Sequence, residues 1–272
     1  MLISSPANAT IKGIRALRAR KERTASGTFF AEGIRLVGEA LETGAPIELL
    51  VVTPELLISP YGQSVVDRAR RATIPVLEVT AAVFESISAR QGPQGLGAVV
   101  RQRWQDLEAL APADELCWVA LAGAQDPGNV GTILRTSDAV GGAGLILVGD
   151  TTDPHDPTAV RASMGTLFSQ RLTRASTPDL ARWKRQHNLS VVGASDHGAT
   201  DYQQHRYQQP LLVFMGSERA GLDPDQLDLC DALVRIPMLG RADSLNVAVA
   251  TAVILYEVLS QARHSTPGSA LP

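Results

Sequence analysis

Cysteine is scarce in this chain, with two residues in 272. Cys117 ("ELCWVA") and Cys230 ("DLCDAL") sit among apolar neighbours as ordinary buried thiols do. A disulfide framework is therefore excluded, and a reduced, cytoplasmic setting is expected. Long hydrophobic runs are also missing: no stretch of 18 apolar residues exists, so no membrane-spanning helix is expected. The opening segment "MLISSPANATIKGIRALRARKERT" lacks the apolar core of a signal peptide. Histidines are few and scattered (His155, His187, His197, His205, His264), and none pairs with a cysteine, so no bound metal is expected. Net charge is only −3, so bulk charge does not mark a nucleic-acid partner.

What is present reads as globular: 44% hydrophobic and 19% charged residues, in a chain long enough for two domains. The charge is unevenly split. Residues 1–103 hold 13 Lys and Arg against nine Asp and Glu, a balance of +4, whereas residues 104–272 hold 12 against 19, a balance of −7. Within "KGIRALRARKER" (12–23) stand six basic residues, Lys12, Arg15, Arg18, Arg20, Lys21 and Arg23, and one acid. Such a run is either a solvated helix face or a phosphate-contacting patch, and charge alone does not choose.

Periodicity divides the chain into a first domain at 1–103, a polar, proline-containing linker at 104–115, a second domain at 116–264 and a flexible tail at 265–272. In the first domain, apolar residues at 11, 14 and 17 predict a helix, followed by a strand at "TFFAEG", a helix over 33–43, a strand "IELLVVT", a helix "YGQSVVDRARRA", a strand "PVLEVT", a helix near "AAVFESIS" and a strand "GLGAVVRQR". The second domain predicts strands at "LCWVALAGA", "GLILVG", "LSVVGAS", "PLLVFMG" and "ALVRIPM". Helices are predicted at 129–140, 157–164, 178–187, 224–229 and about 244–262. Strands alternating with helices imply an α/β fold with a parallel sheet covered on both faces.

Ligands of such sheets sit beyond the carboxyl ends of the strands, and three loops at those ends carry side chains out of keeping with their surroundings. In "AGAQDPGNVGTILRTSDAV" Asn129 lies at a helix entrance, and Arg135 lies within an otherwise small, apolar helix. In "FMGSERAGL" Glu218 follows a buried strand and a Gly-Ser pair. In "IPMLGRADSLNVAVATA" Ser244 is placed to cap the last helix, which leaves Asn246 in the first turn of an apolar face. Taken singly, each loop is equally well read as a capped turn. Other chemistries lack their signatures: no G-x-S-x-G elbow, no G-x-x-x-x-G-K-[ST] phosphate loop, and the glycines of "GGAGLILVG" precede their strand instead of following one.

At these loops the chain resembles the SpoU/TrmH-type RNA 2′-O-ribose methyltransferases of the SPOUT superfamily. "NVGTILRT" (129–136) fits that family's N-x-G-x-x-x-R-T motif, "MGSERAGL" (215–222) its second motif and "IPMLGRADSLNVAVATA" its third, in order; "VRASMGTLF" (160–168) resembles a further recurrent segment. Residues 3–41 more loosely resemble an N-terminal substrate-binding domain of ribosomal-protein-like α/β fold.

The resemblance implies a C-terminal parallel-sheet domain with a deep trefoil knot, S-adenosyl-L-methionine as cofactor, a homodimer, and RNA as partner. Ribosomal RNA, in particular 23S, is favoured; tRNA ribose, an RNA base, or a non-catalytic RNA-binding role are the alternatives. Carried onto this chain, cofactor contacts fall on Gly216, Ile236 and Leu245, with Met215, Leu239, Ser244 and Val247 lining the same pocket. Arg135 falls at the 2′-hydroxyl, either stabilising developing negative charge or losing its proton transiently. Asn129 and Asn246 orient Arg135 or the ribose. Glu218 pairs with an arginine or ties the motif loops together. The basic segment 12–23 is the expected RNA grip.

Overall fold

The computed structural model describes residues 2–112 and 115–265. The chain divides into two compact units, one of 1–103 with 153–169, the other of 104–152 with 170–272. The tail expected at 265–272 falls, but for Ser265 at the end of the last helix, outside the described residues.

In the first unit, Asn8 accepts the Thr10 amide at 2.9 Å to open α1 (Ala9–Ala16), which buries Ile11 and Ile14. The expected single basic helix then breaks. A separate α2 (Arg20–Ser26) follows and ends at Gly27, whose φ of 66° is the left-handed cap that glycine tolerates. The chain continues through β1 (Thr28–Glu32), α3 (Ile34–Glu42), β2 (Ile47–Val52), α4 (Pro60–Arg71), β3 (Val76–Glu78), α5 (Ala81–Ile87) and β4 (Leu96–Arg101). The sheet runs β1-β4-β2-β3, with β4 antiparallel to β1 and β2, and β2 parallel to β3. Ile11, Ile14, Val51, Val83, Phe84 and Ile87 pack together on it.

In the second unit, β5 (Trp118–Ala122) leads to α6 (Pro127–Ala139) and β6 (Gly144–Val148). The next helix, α7 (Pro157–Ala162), belongs to the first unit. Then come β7 (Arg171–Ala175), α8 (Thr177–His187), β8 (Ser190–Ala194), β9 (Thr200–Asp201), β10 (Leu211–Met215), α9 (Pro224–Leu229), β11 (Ala232–Arg235) and α10 (Val247–Ser265). The sheet order is β7-β6-β5-β10-β8-β11-β9, parallel throughout. Every residue of β5, β6 and β10 is buried, as strands covered on both faces must be. Trp118 and Trp183 meet edge to face at 5.8 Å, and the Trp183 indole donates to the Leu110 carbonyl at 2.8 Å. From β5 the chain builds to one side through β6 and β7, and later strands build to the other side. The order therefore reverses between β5 and β10, the place where open parallel sheets hold ligands.

The segment 153–169, expected within the second domain, packs with the first. Ala159 and Val160 of α7 are 0% and 2% exposed, and the rings of His155 and Phe168 lie 4.7 and 6.2 Å from Phe29. Arg23 joins the same cluster. It is 1% exposed, its Nε donates to Asp153 at 2.7 Å, a second nitrogen reaches Asp156 at 3.3 Å, and Nη1 donates to the carbonyls of Leu17 and Arg18. Among the described residues, no helix is long and apolar enough to cross a membrane.

Candidate active site

The site is built at the switch between β5 and β10. Beyond β5, the Asp126 carboxylate accepts the Gly128 amide at 2.6 Å, and Pro127 takes the first helical position of α6. Asp126 therefore caps this helix, leaving the Asn129 carboxamide to other work. Beyond β10, the chain turns back tightly: Ser217 and Gly221 exchange both backbone hydrogen bonds, at 3.0 and 3.1 Å. A Cβ at Gly216 would lie 2.2 Å from the Gly221 carbonyl carbon, so only glycine lets the loop close. The two loops touch, since a Cβ at Gly123 would stand 3.1 Å from that of Ser217.

Three side chains stitch these loops to the third. Asn246 donates through Nδ2 to the Asn129 Oδ1 at 3.0 Å, and Asn129 donates through its own Nδ2 to the Glu218 Oε1 at 2.9 Å. Asn246 Oδ1 meanwhile accepts the amides of Ala248 at 2.9 Å and Val249 at 3.3 Å. The helix is thus capped by Asn246 and begins at Val247, which corrects the assignment of that cap to Ser244. The geometry explains the correction. Asn246 immediately precedes the first helical residue, where a side-chain oxygen reaches the free amides two and three residues on. The same asparagine then presents its NH₂ to Asn129.

Arg135 is exposed on α6, six residues after Asn129, and has no hydrogen bond or ion pair among the described residues. Of the two roles expected of Asn129 and Asn246, orienting Arg135 or the ribose, the first has no hydrogen bond behind it among the described residues; the two amides bond to each other and to Glu218. Of the cofactor candidates, Met215 and Val247 are 3% and 7% exposed, and Gly216, Ile236 and Leu245 are half-buried. Ser244 is exposed, and Leu239 stands 99% in solvent. The loops thus offer backbone groups, apolar side chains and the carboxylates of Asp126, Glu218 and Asp243. That donor set fits a cofactor carrying an adenine, an amino acid and a positively charged sulfur. Burial pushes the Cys117 thiol up to about 12 and the Cys230 thiol up to about 11, so neither is a thiolate nucleophile near neutral pH.

The basic segment divides. Lys12, Arg20 and Lys21 are exposed and without an ion pair among the described residues. Arg15 is half-buried and donates to the Ser86 hydroxyl at 2.7 Å; Arg18 is exposed, with one nitrogen on the Ser88 carbonyl at 2.5 Å. Arg23 does not belong to an RNA-contacting set, because its charge is buried and neutralised by Asp153 and Asp156. Asp126 went unnoticed as a cap although the Asp-Pro pair at the helix start is its signature.

A parallel sheet whose switch-point loops are tied by amides and a carboxylate defines an open α/β domain with a ligand site at the carboxyl ends of β5 and β10. Residues 117–256 match the SpoU rRNA Methylase family, and residues 8–98 match the MRM3-like substrate binding domain. The 23S rRNA (uridine(2479)-2′-O)-methyltransferase of Streptomyces viridochromogenes is 33% identical, covering 89% of this chain and 86% of its own. The 23S rRNA (guanosine(2553)-2′-O)-methyltransferase of Bacillus subtilis is 29% identical over 94% and 98%. A crystal structure of an AdoMet-bound rRNA methyltransferase from Sinorhizobium meliloti superposes with a TM-score of 0.88 at 39% identity, covering 97% of this chain and 98% of that one. The chain belongs to the SpoU rRNA methylase family.

Proposed function

We propose that this protein methylates a ribose 2′-hydroxyl of RNA, with S-adenosylmethionine as donor and 23S ribosomal RNA as substrate. The observation that carries the reading is the hydrogen-bonded chain Asn246–Asn129–Glu218 at the switch point, with an unpaired arginine on the same helix as Asn129. Family membership and the two 23S-specific relatives support the substrate class. Those relatives act on a uridine and a guanosine, so likeness does not choose the base.

Gly216, Ile236 and Leu245 would hold the cofactor, and Met215, Leu239, Ser244 and Val247 would line its pocket. When bound, the donor supplies an electrophilic methyl on a sulfonium that departs as a neutral thioether. The chain's own residues have to align and activate the attacking oxygen. A ribose hydroxyl is a weak nucleophile near neutral pH, so negative charge developing on its oxygen needs a partner. Arg135 supplies a fixed cation whose planar fork reaches that oxygen and the neighbouring phosphate together, while the hydroxyl proton leaves to water or to that phosphate. Asn129 is gripped from both sides, so its orientation is set before substrate arrives, and pre-set geometry is where much of the rate of such a displacement originates. Exposed apolar residues at the third loop and along α10, namely Leu239, Val249 (50%) and Tyr256 (54%), support a homodimer. The likeness to solved SpoU methyltransferase structures supports the family's trefoil knot.

The test is methyl transfer from tritiated S-adenosylmethionine to 23S rRNA and tRNA transcripts, with the product mapped by mass spectrometry. Label on a 2′-oxygen of 23S rRNA is expected. Label on a base, on tRNA alone, or on neither transcript overturns the reading.

A further inference from the structure

The first unit carries a parallel crossover of its own. The stretches "IELLVVT", "YGQSVVDRARRA" and "PVLEVT" fold as β2, α4 and β3, with Val52 and Glu78 partners at the carboxyl ends of the two strands. Such strand ends hold ligands in open parallel sheets, and a cavity of about 310 Å³ lies here, lined by both strand ends and by α4. That volume is at the lower end of the roughly 300–1,000 Å³ of small-molecule sites, and about ten times the roughly 30 Å³ of a water in the liquid. The floor is apolar and fixed. Val52, Leu57 and Val66 are buried, and Gly62 lets Leu57 press on the helix, since a Cβ there would lie 2.6 Å from the Leu57 Cδ1. The rim is polar. Arg70 reaches across from α4 to donate to the Glu78 Oε1 at 3.0 Å and lies 3.8 Å from Asp67. Gln63 donates through Nε2 to the Leu57 carbonyl at 3.3 Å. Among the described residues, the Gln63 Oε1 and the Glu78 Oε2 accept no hydrogen bond.

We infer that this cavity takes an unpaired guanine of the RNA substrate, its ring on the apolar floor and its Watson–Crick edge on Glu78 and Arg70. The inference rests on the proposed RNA substrate and adds which base the first unit selects. Two carboxylates, Asp67 and Glu78, stand against the single guanidinium of Arg70, so the rim repels a phosphate and leaves the base as the part that enters. The rim also accepts more than it donates. Guanine sets two adjacent donors, its N1–H and its amino group, beside a carbonyl. The donors fit a carboxylate, and the carbonyl fits the guanidinium next to it. Uracil offers one N–H between two carbonyls, which a carboxylate repels. Adenine and cytosine place a bare ring nitrogen beside their amino group, so one carboxylate oxygen faces a lone pair. An unstacked base is read on this edge, and a duplex keeps it hidden. Arg70 and Glu78 are joined before any ligand arrives, so little ordering is left to do on binding.

The test measures binding of the full-length protein to fluorescein-labelled oligouridine 12-mers that carry one central guanosine, adenosine or cytidine. Expected is at least tenfold tighter binding of the guanosine oligomer. Glu78→Gln keeps the shape of the rim but leaves one acceptor oxygen in place of two, and the preference should fall to roughly threefold or less. Gln63→Trp fills the cavity from the exposed side of α4 and should remove the preference as well. Glu42→Gln, a surface carboxylate of the same unit paired with Arg68, serves as the control for general charge change and should leave the preference intact. A 6-thioguanosine at the central position should crosslink on irradiation to the segment 52–78 of the wild-type protein. Equal binding of the three oligomers by the wild type overturns the inference. So does a preference kept in Glu78→Gln or Gln63→Trp, or a crosslink that falls only outside 52–78. Should either variant melt well below the wild type, the crosslink decides. If the protein selects guanosine as described yet methylates no RNA, the proposed function falls while the base site stands. If it methylates 23S rRNA but binds the three oligomers alike, the reverse holds.

Discussion

Asn246 has two jobs that a single atom exchange separates. Its Oδ1 caps α10 and its Nδ2 holds Asn129. Asn246→Ala removes both, so stability should fall by about 0.5–2 kcal/mol as lost N-caps do, and turnover should fall with it. Asn246→Asp keeps the capping oxygen and adds a favourable charge at a helix N-terminus, yet it has no hydrogen to give. Asn129 then lies between two carboxylates, and whichever way its amide turns, one of them is left without a donor. The expected result is an unchanged melting temperature with methyl transfer down at least tenfold. Equal activity in Asn246→Asp would show that the chain of amides is only structural. At Arg135 the contrast is sharper still. The residue is exposed and without an ion pair or hydrogen bond among the described residues, so Arg135→Lys and Arg135→Ala should both melt within about 0.5 kcal/mol of wild type. If the fork spans oxygen and phosphate, lysine retains charge but not reach, and kcat should fall tenfold or more in either variant. Near-normal turnover in Arg135→Lys would remove the fork from the mechanism. The motif residues were legible because Asn129, Glu218 and Asn246 stand in three loops that follow strands and resemble, in order, the three motifs of one family. Their bonding to one another rather than to Arg135 was not legible, since which of two amides donates is a matter of angstroms.

Most helices and central strands follow from periodicity, and the failures have physical causes. The strand β7 was missed because "RLTRA" carries two arginines; it lies at the sheet edge, where Arg171 stacks on Trp118 at 4.7 Å and Arg174 on Trp104 at 4.0 Å. The two-residue β9 is too short to carry a period. In α2 the error was one of charge: Arg23 reads as one more solvated cation until its acids, 130 and 133 positions away, are folded against it. That clamp sets two expectations. Arg23→Met leaves Asp153 buried and without its main cation, so unfolding should become easier by about 3–5 kcal/mol, the usual cost of breaking a buried pair from one side. Burial alone would raise the Asp153 carboxyl, but hydrogen bonds from His155 and Arg23 outweigh it and hold the group well below the usual carboxylate range. A carboxyl so depressed contributes stability in full above its unfolded value near pH 4 and loses it as pH falls further. Asp153→Asn should therefore be less stable than wild type at pH 7, and the difference should shrink steadily on acidification from about pH 5 to pH 2. A gap independent of pH would mean the carboxylate charge is not what holds Arg23.

At the scale of the whole molecule, the second unit holds 11 Lys and Arg against 17 Asp and Glu, a balance of −6, so the proposed RNA attraction falls to the first unit. An obvious experiment is to delete residues 1–103 and ask whether cofactor binding survives alone. The contact pattern argues against a clean answer. Residues 153–169 lie between β6 and β7 in sequence but bury Ala159, Val160, Leu167 and Phe168 within the first unit, together with Asp153 and its arginine. Nothing in composition marks that allegiance, since the stretch is neither a linker nor a charge run, and so a boundary drawn from sequence at 104–115 assigns it to the second domain. Deletion exposes four apolar side chains and strands a buried carboxylate, each a recognised route to instability. A chain beginning at residue 104 should therefore aggregate or melt well below the full protein. It should lose cofactor binding through misfolding, not through loss of the RNA grip. Charge reversal leaves the core intact: Lys12→Glu/Arg20→Glu/Lys21→Glu alters only exposed, unpaired side chains. In that variant the melting temperature and the calorimetric affinity for S-adenosylmethionine should match wild type, while KM for 23S rRNA rises several-fold and its salt dependence flattens. A truncated chain that melts like the full protein and binds the cofactor normally would show that 153–169 is stable without the unit it packs into.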